Sequence, residues 1–448
     1  MSFCSECGSR QEEGARFCSN CGAAVSQLSE TPAKVEKQGR SVRRFPVAIV
    51  VVILLLVLGG GVAAFVFLQN EPYIAVPGDF STIQQAIDAA EHGDVIQVEP
   101  GTYMENIDFK GKSITLRSTE PIDEGVVAAT VIDGSRNGPV VTFQSGEREA
   151  LIKGFTIKGG SGKEVQIEVE EEGKFVEYEF VAGGGILVME NSSPAIKDNI
   201  IINNYAEFGG GIAVLDSEAI IKGNTVTKNT AQDSGGGIYV LVSEASIEGN
   251  TVAANTAEYR GGGIFVIVSE ASIEGNTVTA NTAEMSSGGI AVWSSEASIR
   301  ANTITKNAAE EAGGVGIMES KVSINGNNIS ENTAVIGGGI IVNVSEVSIE
   351  GNTVTANTAE GGAGGIAIAR SETSIIGNTI ANNTAGRRGG GLILLAESFS
   401  SVKENIFKNN RADEGGAIWV SDNATLELSD PDGNTYTDNV PDNIDSQR

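Results

Sequence analysis

All four cysteines of this 448-residue chain lie close to its N-terminus, in two Cys-x-x-Cys pairs that are each followed by glycine. The pairs are Cys4 with Cys7 and Cys18 with Cys21. Four thiolates at this spacing match the ligand set of a structural zinc site, which leaves no coordination position open for catalysis. Disulfides are the alternative, and a reducing compartment disfavours them. The sequence therefore predicts that residues 1–22 bind zinc in a structural role.

The cysteine segment resembles the short zinc-ribbon modules found at the N-termini of many prokaryotic membrane proteins. Residues 23–45 are polar and basic and are predicted to form a flexible linker. An uncharged apolar run at 46–68 is long enough to cross a bilayer as one helix, and it begins too far into the chain for a signal peptide. Because Lys and Arg precede this run, we expect a single-pass protein of the cell membrane with a cytoplasmic N-terminus. Everything after the span is then extracellular.

Residues suited to catalysis are scarce. The one histidine, His92, precedes Gly93-Asp94 and is predicted to lie in a solvated turn. No carboxylate pair for acid–base chemistry falls on the predicted outward face of the first strand of the repeats described below. The segment between residues 94 and 158 holds more charged residues that could serve in catalysis. They are Asp108, Lys110, Lys112, Arg117, Asp123, Asp133, Arg136, Arg148 and Lys153.

A regular repeat must position any functional face. From Ile186 to Ile418 a glycine-rich motif recurs every 26 residues, and in two places the spacing is 25 residues. Apolar residues two apart after the glycines, such as Ile238 and Val240, predict one short strand per repeat, and further apolar columns predict two more. A repeat of this length has no room for a crossover helix. The sequence thus predicts an all-β parallel β-helix with three strands per coil and about 12 coils.

Asparagine recurs at two corners of each predicted coil, in columns that begin at Asn199 and Asn204. Asparagine tolerates the left-handed backbone of a corner, and stacked side-chain amides can hydrogen-bond along a ladder. Glycine runs mark the third corner, where the chain turns with no room for Cβ.

The phrase Gly415-Gly-Ala-Ile418 and corners of the type Phe407-x-x-Asn410 resemble the right-handed β-helix repeat of the pectin-lyase-like superfamily. The opening from Val76, with Gly93-Asp-Val-Ile-Gln-Val-Glu-Pro-Gly-Thr-Tyr after it, is similar to the way in which many members begin. The resemblance covers about residues 73–440. It implies a right-handed coil and, among the family's enzymes, polysaccharide lyases, polygalacturonases, esterases and epimerases.

The chain before the regular repeats is predicted to close the end of the β-helix. A capping box at Ser81–Gln84 and apolar residues at helical spacing indicate a short helix within residues 71–182, followed by irregular coils. An acidic, protruding hairpin is predicted within residues 162–182. The regular coils then occupy residues 183–440, and 441–448 form a tail.

Apolar residues also fill the predicted outward positions of the first strand. Over ten coils they would exceed the bare apolar patch that soluble monomers normally show. Three explanations are, in order of preference, a protein partner or second copy, stacking on sugar rings, and coverage by the hairpin. The candidate ligand-binding residues are Tyr239, Phe265, Trp293 and Trp419.

Glutamates stack in a further column from Glu218 to Glu372, where calcium between coils is an alternative to a solvated row. The net charge of the whole chain is −28. After residue 70 the chain holds 23 basic and 53 acidic residues, a balance of about −30. This charge argues against nucleic-acid binding and against unaided capture of a polyanionic glycan.

These features favour a membrane-anchored extracellular scaffold that binds a protein or glycan without catalysis. Self-association through the apolar face is one form of this hypothesis. The alternative is a carbohydrate-active enzyme, a lyase or hydrolase, whose site lies in the irregular coils at 94–158.

Overall fold

The computed structural model describes residues 72–171, 173–428, 433–441 and 443–446, together with the backbone of residues 2–3 and 10–11. The chain divides into two units, Met1–Arg44 and Phe45–Arg448. In the first unit, Ser2–Phe3 pairs antiparallel with Arg10–Gln11. The second unit is a parallel β-helix of about 14 coils, against the 12 predicted.

Each regular coil contributes strands to four sheets, here numbered in chain order. Within one coil, the strand of sheet 1 comes directly after the glycine corner, and the strand of sheet 2 comes next along the chain. The strands of sheet 1 are Ile107–Asp108, Val141–Phe143, Ile186–Val188, Ile212–Leu215, Ile238–Leu241, Ile264–Ile267, Ile290–Trp293, Val315–Met318, Ile340–Asn343, Ile366–Ala369, Leu392–Leu394, Ile418–Val420 and Ile444–Ser446. Those of sheet 2 are Ile74–Val76, Val95–Val98, Thr115–Ser118, Arg148–Lys153, Ser193–Lys197, Glu218–Lys222, Glu244–Glu248, Glu270–Glu274, Glu296–Arg300, Lys321–Asn325, Glu346–Glu350, Glu372–Ile376, Phe399–Lys403 and Thr425–Glu427.

Sheet 3 lies between the two asparagine corners. Its strands are Gly101–Tyr103, Thr130–Asp133, Thr156–Lys158, Ile200–Ile202, Thr225–Thr227, Thr251–Ala253, Thr277–Thr279, Thr303–Thr305, Asn328–Ser330, Thr353–Thr355, Thr379–Ala381, Ile406–Lys408 and Thr435–Thr437. Sheets 1, 2 and 3 contain the three strands that the sequence predicted for each coil.

Sheet 4 was not predicted, so the expectation of three strands per coil is incomplete. Its strands are Lys163–Glu171, Lys174–Ala182, Tyr205–Phe208, Thr230–Ser234, Thr256–Ala257, Thr282–Ala283, Ala308–Glu311, Thr333–Ile336, Thr358–Ala359 and Thr384–Ala385. Several of these strands have only two residues. In Thr256–Ala257 and Thr282–Ala283 the threonine is exposed and only the alanine is buried. A pair such as Thr256–Ala257 is too short to show the alternation that identifies a strand.

The predicted inward columns form one continuous core. Ile238, Val240, Ile247 and Val252 of a single coil are fully buried, and their counterparts stack above and below them in register. Burying such a side chain contributes about 1.5–3 kcal/mol. The stacked columns therefore close the coil without any covalent link.

Both asparagine columns form buried ladders, as predicted. The side-chain oxygen of Asn276 accepts hydrogen bonds from the backbone N–H and the side-chain amide of Asn250, at 2.8 and 3.0 Å. The amide of Asn276 in turn donates to Asn302 and to the backbone carbonyl of Ile247. The left-handed residue of each corner is the one before the asparagine, for example Ala254. The asparagines thus bind the backbone of the corner and do not themselves adopt its positive φ.

Serine forms a third buried ladder between sheets 1 and 2 that sequence reasoning missed. The backbone N–H of Ser243 donates to the hydroxyl oxygen of Ser269, and that of Ser269 donates to Ser295. Each serine hydroxyl is small enough to fit inside the corner, so the column satisfies buried amides that would otherwise lack a partner.

The predicted cap helix is present at Ile83–Ala89, and Thr82 rather than Ser81 is its N-cap. Ile83, Ala86 and Ile87 are buried against the first coils. A second short helix spans Glu124–Ala129. In the described part of the chain no helix is long and apolar enough to cross a bilayer. The predicted span at 46–68 lies outside the described residues.

We expect Asn276→Ala to destabilise the β-helix by about 2–5 kcal/mol, because it leaves buried amide and carbonyl groups of Asn250 and Ile247 without partners. Thr279→Ala in the same coil is the matched control, since Thr279 points outward from sheet 3 and its loss should change stability by about 0.5 kcal/mol or less. Urea denaturation followed by circular dichroism measures both. Equal midpoints for the two variants would contradict a structural role of the ladder.

Candidate functional site

The four aromatic residues predicted to bind a ligand lie on the outer side of sheet 1. Tyr239, Phe265 and Trp419 are no more than 4% exposed, and Trp293 is half-buried. Most of this apolar face is therefore covered. The rings of Tyr239, Phe265 and Trp419 are not open to stack on a sugar.

A hairpin formed by residues 163–182 covers the N-terminal part of this face. Val165, Ile167 and Val169 on its inner side are buried in one cluster with Tyr239 and other residues of sheet 1. The hairpin was predicted, but it lies on the coil and does not protrude. The third of the three explanations for the apolar face is thus the one that the structure supports.

The outer side of the hairpin is acidic. A hydrogen bond with Glu164 raises the pKa of the Glu179 carboxyl, and the negative charge of Glu164 acts in the same direction. Repulsion between these carboxylates opposes pairing of the two strands, so the apolar contacts of the inner side hold the hairpin in place.

Aromatic rings continue beneath and beyond the hairpin. The ring centroids of Tyr239 and Phe265 are 5.8 Å apart, as are those of Phe265 and Trp293. The guanidinium of Arg260 lies 4.2 Å from the Trp293 ring centroid, and that of Arg388 lies 4.5 Å from Trp419. Both tryptophans are therefore shielded by a cation as well as by packing.

We expect Ile167→Asp to open the hairpin, because a carboxylate cannot remain in the apolar cluster unpaired. Binding of the dye ANS should rise as the rings of sheet 1 become exposed. Gln166→Asp is the matched control, since Gln166 points outward from the same strand and should leave dye binding unchanged. A wild-type dye signal from Ile167→Asp would contradict the covering role of the hairpin.

The open surface of the β-helix is a groove of about 1100 Å³ along the outer side of sheet 2. Its lining runs from Glu149 to Ser401 across ten coils, or about 40 Å at the usual strand spacing. The triplet of glutamate, alanine and serine occurs in three of these coils, as in Glu270-Ala271-Ser272, and two further coils keep the glutamate and the serine. Five coils of the groove therefore present the same two polar groups.

Exposed glutamates form one margin of this groove. The column comprises Glu218, Glu244, Glu270, Glu296, Glu346 and Glu372, with Lys321 inserted 3.5 Å from Glu346. Within the described residues, no three His, Cys, Asp or Glu side chains converge on a metal position. The calcium hypothesis thus gains no support from the geometry of the column.

The groove presents groups that form hydrogen bonds. Serine hydroxyls donate and accept, and carboxylates accept, so successive coils present partners for a ligand rich in hydroxyl groups. The described lining contains glutamate, serine and Lys321, and no histidine, cysteine or aspartate.

Several charged residues in 94–158 have structural partners. Lys110 pairs with Asp88 at 2.7 Å and lowers the pKa of that carboxyl, while Lys112 donates to the last carbonyls of the cap helix. Asp123 caps the second helix through the backbone N–H of Val126.

The remaining charged groups of this region do not form a catalytic pair. Asp133 accepts from the backbone of Ser135 and lies 3.4 Å from Lys158. Asp108 accepts from Gln144, and His92 accepts a backbone hydrogen bond at its turn.

One buried carboxylate in this region escaped sequence analysis. Glu147 is fully buried and accepts hydrogen bonds from the backbone of Gly111 and Ser145 and from the hydroxyl of Ser192. Ser192 belongs to the serine ladder, so Glu147 terminates that ladder at its N-terminal end. A single Glu in an irregular coil carries no sequence signal for this role.

The fold defines a parallel β-helix protein with an open groove on one outer face. The model of the right-handed β-helix region matches residues 137–304 and 236–387, together more than half of the chain. The chain therefore belongs to the right-handed β-helix family, as its resemblance implied. A zinc-ribbon domain matches residues 3–25.

The individual proteins that resemble this chain share only part of its length or have low sequence identity to it. A probable pectinesterase/pectinesterase inhibitor from Arabidopsis thaliana is 37% identical over 86 residues, which span 18% of this chain and 16% of that protein. The mannuronan C-5 epimerase A-module of Azotobacter vinelandii is 16% identical, with a TM-score of 0.44 over 84% of this chain and 99% of that one. Pectate lyase Pel9A is 13% identical, with a TM-score of 0.26 over 81% of this chain and 80% of that one.

Cys4, Cys7, Cys18 and Cys21 lie outside the described residues, within the segment that matches the zinc ribbon. We expect the purified chain to carry one zinc ion, measured by atomic emission, and Cys18→Ser to lose it. Cysteine binds zinc only as the deprotonated thiolate. Protons therefore compete with zinc for the four sulfurs, and acidification should release the metal. Stoichiometric zinc in Cys18→Ser would contradict this ligand set.

Proposed function

We propose that this chain is a non-catalytic scaffold that binds an extended, hydroxyl-rich glycan in the sheet 2 groove. The groove itself carries the proposal, because it is open and five of its coils present a glutamate and a serine at the same two positions. A linear polymer can match such a surface unit by unit, and many weak contacts then act together. The predicted span at 46–68 would anchor this scaffold in the cell membrane with the β-helix outside.

Two observations support binding over catalysis. The described groove lining contains no histidine, cysteine or aspartate, and the charged residues that were candidates in 94–158 include helix caps and local ion pairs. The enzymatic alternative rests on the chemistry of other β-helix proteins, which a shared fold does not transfer.

The test uses the full-length chain in mild detergent with a panel of neutral and acidic polysaccharides, with and without calcium. Retention of protein on each polymer and release of new reducing or unsaturated ends are measured on the same samples. We expect retention on at least one polymer and no new ends. New ends that rise with protein concentration would contradict the non-catalytic assignment.

A blocking variant tests the location. We expect Ser272→Trp, which places an indole in the middle of the groove, to weaken retention by about tenfold or more. Thr277→Trp is the matched control, since Thr277 points outward from sheet 3 in the same coil. Equal loss of retention in both variants would place the ligand elsewhere.

A further inference from the structure

The outer side of sheet 2 carries an unexpected cluster of positive charge at its N-terminal end. The strand register places Arg117 beside Lys153, Lys153 beside Lys197, and Lys197 beside Lys222. Four consecutive coils thus present a cation at the same outward position. We call these four residues the basic row. The net charge of the chain, −28, gives no indication of such a cluster.

Elsewhere in the β-helix, several cations pair with an acid on a neighbouring coil. Arg300 pairs with Glu274 one coil away, and Arg388 pairs with Glu414 in the same manner. Lys222, the last member of the basic row, follows this rule through Glu248, since the Nζ of Lys222 lies 2.7 Å from a carboxylate oxygen of Glu248. Ion pairs between coils therefore offset part of the charge of this surface.

The other three members of the basic row depart from that rule. Arg117, Lys153 and Lys197 are half-buried, and none of them forms an ion pair with a described carboxylate. The Nε of Arg117 is also shielded from solvent without a hydrogen-bond partner. Like charges on adjacent coils, about 4.8 Å apart, repel each other unless an anion lies between them.

The spacing selects the kind of anion. A tetrahedral phosphate or sulfate group has three free oxygens and can accept from cations on two adjacent coils at once. The row also offers an arginine fork, which suits such groups. Beside the row, Thr115 and Leu151 stack in register and present a half-buried strip for the backbone of the ligand.

We propose that the basic row binds a linear glycan that carries phosphate or sulfate esters, with one ester held between each pair of adjacent cations. This site goes beyond the groove and does not depend on it, because no member of the row lines the groove. A phosphate ester and a sulfate ester offer the same chemistry to the row, so the probes below separate the two sources.

The test measures binding of the full-length chain to dextran sulfate, dextran phosphate, polygalacturonate and neutral dextran. We expect one or both ester polymers to bind more tightly than polygalacturonate, and neutral dextran not to compete. Lys153→Gln/Lys197→Gln should weaken binding of the ester polymers by roughly 10- to 100-fold. Raising the salt concentration should weaken binding to the wild type more than to this variant.

The matched control is Lys403→Gln/Lys408→Gln, which removes the same charge far from the basic row. Lys403 occupies the same outward column at the other end of sheet 2, where its neighbour is Ile376. Thermal melting of each variant verifies folding. Equal weakening by the control variant, undiminished binding by Lys153→Gln/Lys197→Gln, or tighter binding of polygalacturonate than of either ester polymer would overturn the proposal. A wild type that binds neither ester polymer would do the same, whether or not the groove retains a glycan.

Discussion

The structure depends on parallel register between successive coils. Each strand hydrogen-bonds to the equivalent strand of the next coil, so a residue type chosen at one position is stacked on its own kind along the axis. For apolar residues this stacking produces a continuous core. For polar residues it is tolerable only where each member can satisfy the next, and asparagine meets this condition because its amide both donates and accepts.

Register also governs the surface. Columns of identical side chains create long, uniform faces, and two of them need a physical remedy. The apolar column on sheet 1 is shielded by the hairpin at 163–182 and, farther along, by Arg388 over Trp419. Several charged side chains are offset by ion pairs between coils, whereas three members of the basic row are not. The glutamate and serine face of sheet 2 remains open, which is why it is the candidate site.

Much of the fold was predictable because parallel register requires similar residues at equivalent positions of successive coils. The sequence therefore contains a repeat of constant length. The inward Ile and Val columns, the asparagine ladders and the cap helix follow from spacing alone. The fourth strand was not predictable, since Thr256–Ala257 is too short for a pattern. The open groove was also missed, because Ala and Ser in the triplet that begins at Glu270 look like ordinary strand residues. Coverage of Tyr239 depends on how a hairpin folds back, which the repeat does not encode.

Protection of individual carboxylates on ligand binding tests the location of the site most directly. The full-length chain would be labelled with a carbodiimide and an amine, with and without a retained glycan, and modification read by peptide mass spectrometry. Glu244, Glu270 and Glu296 on the groove margin should become protected, whereas Glu258 and Glu284, exposed beyond sheet 4 in the same coils, should stay reactive. Unchanged labelling of the groove glutamates in the presence of bound glycan would contradict a binding site on sheet 2.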